Sequence, residues 1–98
     1  MVLEVALLDI KPGQAHEFEA AFIQAQKIIS AMKGYVSHQL LKCLEKADRY
    51  ILLVNWETLE DHIRGFRGST EYQEWRRLTH HFYDPLPDVE HYGALAVD

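Results

Sequence analysis

Two stretches of this chain, Val2–Ile10 and Tyr50–Trp56, are apolar at odd and even positions alike. Side chains alternate across a β-strand, so such a strand is greasy on both faces. A sheet built on two of them needs a cover on each side. The remaining segments provide only one. A helix over Gln14–Ala31 is predicted from Phe18, Ala21, Phe22, Ala25, Ile28 and Ile29, which recur at steps of three and four and continue to Met32 as one amphipathic stripe. Lys11-Pro12-Gly13 separates this helix from the first strand, and Gly34 stops it. The other helical region follows Trp56. Thr58 and Asp61 have capping-box spacing, and Leu59, His62, Ile63 and Phe66 form the inner stripe of a short helix. Ser69 caps a longer helix with Tyr72, Trp75, Arg76, Thr79 and Phe82 along one face.

Tyr35–Leu44 and Arg49–Trp56 read as a hairpin about the polar loop Glu45-Lys46-Ala47-Asp48. Asp84-Pro85-Leu86-Pro87 breaks the last helix, and Val89–Val97 is a final strand. The order β-α-β-β-α-β predicts an α+β, ferredoxin-like fold: a four-stranded antiparallel sheet with its helices on one face. The second sheet face is then a large apolar patch, and such a patch marks an interface. A homodimer joined sheet to sheet is the expectation.

Residues 1–98 make one domain, and the composition narrows the partners. Ten Lys and Arg stand against 15 Asp and Glu, a net charge of −5 that disfavours nucleic acid. Protonating all six histidines would move it to about +1, so charge depends on pH. No apolar run reaches the ~20 residues of a membrane span. The single cysteine, Cys43, permits no internal disulfide and reads as a small buried residue in a cytoplasmic protein. No Walker loop, GxGxxG, CxxC, HExxH or GxSxG is present, so no cofactor or metal is expected and any activity comes from dispersed side chains.

Several segments in order resemble the antibiotic biosynthesis monooxygenase domains. They are Lys11-Pro12-Gly13, Glu17-Phe18-Glu19, Gly34, Arg49-Tyr50-Ile51-Leu52, Val54-Asn55-Trp56-Glu57, Phe66-Arg67-Gly68-Ser69 with Tyr72, and Pro87-Asp88-Val89-Glu90-His91-Tyr92. The resemblance implies a dimeric α/β barrel in which each subunit keeps a pocket between its sheet and its helices. Members include cofactor-free monooxygenases of quinols and polyketide phenols, heme-degrading enzymes and isomerases of small metabolites. The heme-degrading members carry Asn, Trp and His where this chain has Ala6, Phe66 and Arg76, which disfavours that activity. The polyketide-oxidising members carry Asn, Trp, Tyr and Arg where this chain has Leu52, Trp56, His62 and Arg76.

The expected function is therefore oxidation of a phenol or quinol by O2 without a cofactor. The alternative is an isomerase or a non-catalytic dimeric binder on the same scaffold. Such an oxygenation needs a base, a stabiliser for the oxyanion and a dry aromatic pocket. His62, whose ordinary pKa of about 6.5 suits a base, Arg76 and Trp56 are the candidate catalytic residues. Tyr72, Phe22, Phe66, Phe82 and Leu52 are the candidate substrate contacts. A guanidinium on a helix's inner stripe needs an anion, so Arg76 pairs with an internal carboxylate, awaits a ligand oxygen or snorkels to water. His80 and His81 are adjacent and diverge on a helix, which makes them a polar rim with His91.

Overall fold

A computed structural model of the chain describes residues 1–96. Strand β1 spans Val2–Asp9, helix α1 Ala15–Ile29, β2 Tyr35–Lys42 and β3 Arg49–Trp56. A π-helical turn, Asp61–Phe66, leads to α2, Thr70–Thr79, then a 3-10 turn, His80–Phe82, and β4, Val89–Gly93. All strand pairs are antiparallel, in the order β2-β3-β1-β4. This is the ferredoxin-like arrangement expected from the order of the segments. β1 and β3, the strands apolar on both faces, occupy the centre.

Register assigns the faces. Glu4, Ala6 and Leu8 of β1 lie beside Val54, Leu52 and Tyr50 of β3, and all six are buried beneath the helices. Phe18, Phe22, Ala25 and Ile29 of α1 descend onto them, spaced as the stripe requires. Phe18 gathers the aromatic core: its ring centroid is 5.1 Å from that of Tyr50 and 5.9 Å from that of Phe82. Trp56, Phe66 and Val54 are also fully buried, each contributing roughly 1.5–3 kcal/mol by leaving water. On the other face Leu3, Val5 and Leu7 lie beside Asn55, Leu53 and Ile51, with Leu41 and Tyr92 flanking. Leu7, Leu41 and Tyr92 are each more than two-fifths exposed, and nothing among the described residues covers this side.

Both predicted caps form: Asp61 N–H donates to Thr58 Oγ1 at 3.1 Å, and Tyr72 N–H to Ser69 Oγ at 3.1 Å. Several boundaries move. β2 stops at Lys42, because Cys43 N–H bonding Arg49 O at 2.8 Å already closes the hairpin. Cys43 is half-buried there and not buried. The short helix after Trp56 is widened to π geometry, with Arg67 N–H reaching His62 O at 3.0 Å, five residues back. Only His62 and Phe66 are buried in it, while Leu59 and Ile63 are half-buried. α2 ends at Thr79, so Phe82 belongs to the 3-10 turn and not to the helix face. β4 ends at Gly93; Val97 lies outside the described residues.

The joint that seats the π-turn is Gly34. Its φ is +85°, and a Cβ there would overlap the Asp61 carboxylate. Gly13 also has a positive φ, +79°, but faces open space. Gly13→Ala should therefore cost only the left-handed penalty of about 1–2 kcal/mol. Gly34→Ala must also push Asp61 off Thr58, so its thermal midpoint should fall further than that of Gly13→Ala. Paired thermal melts check the order, at about 4–8 °C per kcal/mol for a domain of this size.

Candidate active site

Between the sheet and α2 lies a cavity of about 320 Å³. Ala6, Leu8, Leu52 and Val89 of the sheet form its floor, Ile29 and Trp75 its sides, and Leu86 and Pro87 part of its rim. The polar groups that reach it are Glu4, His62, Arg67, Tyr72, Arg76, His80 and Tyr83.

Glu4 and His62 are the core of this polar set, 5% and 3% exposed. The Trp56 indole N–H donates to Glu4 Oε1 at 2.9 Å. His62 Nε2 stands 3.2 Å from the same oxygen, and His62 Nδ1 is hydrogen-bonded to His91 Nε2 at 2.7 Å. His62 is also stacked on Trp56, centroids 5.2 Å apart and planes 19° from parallel. The π-turn brings His62 over β1, and the β1–β4 register puts His91 directly beside Glu4.

Burial governs the ionisation of the pair. It raises the Glu4 carboxyl above its ordinary value, against the opposing pull of the Trp56 N–H and of Arg67. It lowers His62 to about 3, with the charges of Arg67 and His91 adding to the effect. The 3.2 Å contact therefore involves a neutral imidazole. A ring with its proton on Nε2 faces Glu4 favourably and accepts at Nδ1 from His91.

The candidate residues of the sequence divide accordingly. His62, Arg76, Tyr72, Phe66 and Leu52 share the cavity wall. Trp56 does not line it: fully buried, it stands behind Glu4 and His62 as donor and stacking platform. Phe22 sits on the far side of Trp75, facing a separate groove with Gln26 and His38. Phe82 is packed on Phe18 in the core, because the chain turns before it reaches the cavity. Arg76 is exposed on α2 at the cavity mouth and has no ion pair among the described residues, so an internal carboxylate is not its partner. His80 reaches the cavity, whereas His81 lies against Phe82. The expectation of an ordinary His62 pKa is corrected: an imidazole this enclosed resists protonation.

Glu4 was not among the candidates. Its signal was available, since it shares the buried parity of Ala6, Leu8 and Ile10, where a carboxylate is out of place. Arg67 and His91 could be placed beside it only through the turn and the strand register.

Comparison with known proteins bears on the family and the fold. The family model for antibiotic biosynthesis monooxygenases matches residues 1–78. The chain belongs to the antibiotic biosynthesis monooxygenase family. An uncharacterised protein of Bacillus subtilis, YczJ, is 62% identical over 92 residues, covering 94% of this chain and 97% of YczJ. The crystal structure of a protein from Bordetella bronchiseptica assigned to the same family is 33% identical with a TM-score of 0.91, covering 97% of each chain. SnoaB of Streptomyces nogalater, a cofactor-independent oxygenase, is 18% identical with a TM-score of 0.84, covering 98% of this chain and 94% of its own. At that identity the likeness to SnoaB is one of fold. Within this family fold, Glu4 and His62 lie inside the matched segment and His91 beyond it.

The His62 shift sets a pH dependence. The unfolded imidazole protonates near 6.5 and the folded one near 3, so the unfolded state binds more protons between those values. Stability then rises with pH across that window and is lost on acidification. His38, His80 and His91, all lowered by burial, act in the same sense. Glu4, raised, acts in the opposite sense just above the ordinary carboxylate range. Between about pH 7.5 and about pH 5.5 His62 alone should account for about 1.4 kcal/mol. Denaturant unfolding at several pH values should show this slope in the wild type and a shallower one in His62→Gln.

Proposed function

We propose that this protein is a cofactor-independent monooxygenase that oxidises a phenol- or quinol-like small aromatic molecule with O2. The observation that carries the reading is the cavity itself: an apolar, ring-sized space with a buried polar chain on one wall and two guanidinium groups, Arg67 and Arg76, at its edge. Membership of the family and the SnoaB-like fold support the reaction class.

The chemistry follows from spin and charge. Triplet O2 reacts slowly with closed-shell molecules unless the partner gives up an electron easily. Loss of the phenolic proton makes an electron-rich anion, and the guanidinium charges stabilise it in a medium that screens little. The anion passes one electron to O2, and the resulting radical and superoxide join at a conjugated ring carbon bearing one hydrogen, giving a peroxide anion that takes back the proton lost from the phenol to become a hydroperoxide. Loss of water from that C–OOH group leaves a ketone. One oxygen atom enters the product and the other leaves as water. His62 and Trp56 support the polar wall, while Phe66, Tyr72 and Leu52 meet the ring.

Purified, metal-free protein should consume O2 with at least one member of a quinol panel in an oxygen electrode. Arg76→Ala should raise KM by roughly 10–100-fold, the worth of a charge-assisted hydrogen bond. Ring binding without O2 consumption would instead identify an isomerase or a binder.

The reading includes a homodimer that pairs the bare sheet faces, with Leu7, Ile51 and Leu53 at its centre. Sedimentation should find a dimer, and Leu53→Glu, which sets a charge in that apolar contact, should yield monomer.

A further inference from the structure

The cavity's proton acceptor remains to be named, and His62 is poorly placed for the task. Both of its ring nitrogens are turned to protein groups, Nδ1 to His91 and Nε2 to Glu4. To take a proton from a guest it would have to abandon one of them. Glu4 differs. Oε1 receives the Trp56 N–H and faces His62, while Oε2 takes no hydrogen bond among the described residues. No fully buried side-chain oxygen there lacks a partner, so Oε2 keeps access, and Glu4 lines the cavity.

We propose that Glu4 Oε2 is the atom that accepts the substrate's hydroxyl proton, with His62 and Trp56 as positioning residues that hold Oε1. The proposal rests on the phenol-oxidising reading and names the residue that reading lacks. In the step, the substrate O–H bond breaks and an O–H bond forms at Oε2. The electron pair stays on the substrate oxygen, and Glu4 becomes a neutral acid. It can return the same proton to the peroxide anion, completing the hydroperoxide and restoring the carboxylate, and the carbon's own hydrogen then leaves with the departing hydroxide as water. A carboxyl raised by burial is a stronger base than an exposed one, which narrows its gap to a phenol. The other groups around it are Arg67 and His62 from the turn region, His91 from β4, and Arg76, His80 and Tyr83 across the cavity.

The test uses para-nitrophenol under nitrogen, a probe whose anion is coloured and which is not oxidised. Bound to wild-type protein in mildly acidic buffer it should show the anion band, and the infrared difference spectrum should gain a protonated-carboxyl band. Glu4→Gln should bind the neutral form without the anion band and without the carboxyl band. His62→Gln should keep the band but shift its pH midpoint.

An anion band unchanged in Glu4→Gln would overturn the assignment, as would wild-type protein with neither the anion band nor the carboxyl band. The infrared measurement needs no variant, so it decides the matter even if Glu4→Gln does not fold. Quinol oxidation that survives intact in Glu4→Gln would sink Glu4 and leave the oxygenase standing. Proton transfer to Glu4 with no O2 uptake from any quinol would do the reverse.

Discussion

A carboxylate buried between a sheet and its helices is the constraint around which this molecule is arranged. Leaving an ionised group in an apolar interior without partners costs several kcal/mol, so Glu4 must be met by donors. The Trp56 indole meets it from β3, the adjacent strand, and His62 meets it from above. Trp56 is then committed both to packing and to a hydrogen bond. His62 is committed to a position that an ordinary helical turn does not provide. The widened π geometry of Asp61–Phe66 accommodates it, and π turns recur where a side chain must be re-aimed at a site.

The same arrangement explains why the core is incomplete. Phe18, Tyr50, Phe82 and Tyr83 close the end of the sandwich beneath α1. Toward α2 the sheet offers the aliphatic side chains of Ala6, Leu8, Leu52 and Val89, and Trp75 and Phe66 stand aside against each other. Small floor residues below and aromatic walls around leave a space where a third layer of side chains would otherwise sit. Its edge collects cations because α2 and the segment before it end their exposed turns in Arg67 and Arg76. An apolar cavity with permanent positive charge at its edge favours a flat guest that becomes an anion.

The two faces of the sheet divide the work. One is occupied by helices and holds the cavity. The other keeps Leu3, Val5, Ile51 and Leu53 in a row with nothing above them among the described residues. Pairing through that second face would leave the cavity untouched and stiffen its floor, since β1 and β3 contribute to both sides.

Periodicity alone determined the elements of this protein and their order. Runs apolar on both parities marked β1 and β3, a three-four spacing marked α1, and Thr58 and Ser69 marked the starts of the turns that follow. These are local properties, set by the alternation of a strand and the pitch of a helix. Local spacing also placed His62, Phe66 and Tyr72 on inward faces. It did not say which inward residues meet. Phe22 and Phe82 point inward as their spacing demands, yet they fall on the far side of Trp75 and in the closed end of the core. Glu4, His62 and His91 are 29 or more residues apart in every pairing with His62, and only strand register joins them. The ionisation of that group was likewise a tertiary outcome, because desolvation depends on everything that packs around a side chain and not on its neighbours in the chain.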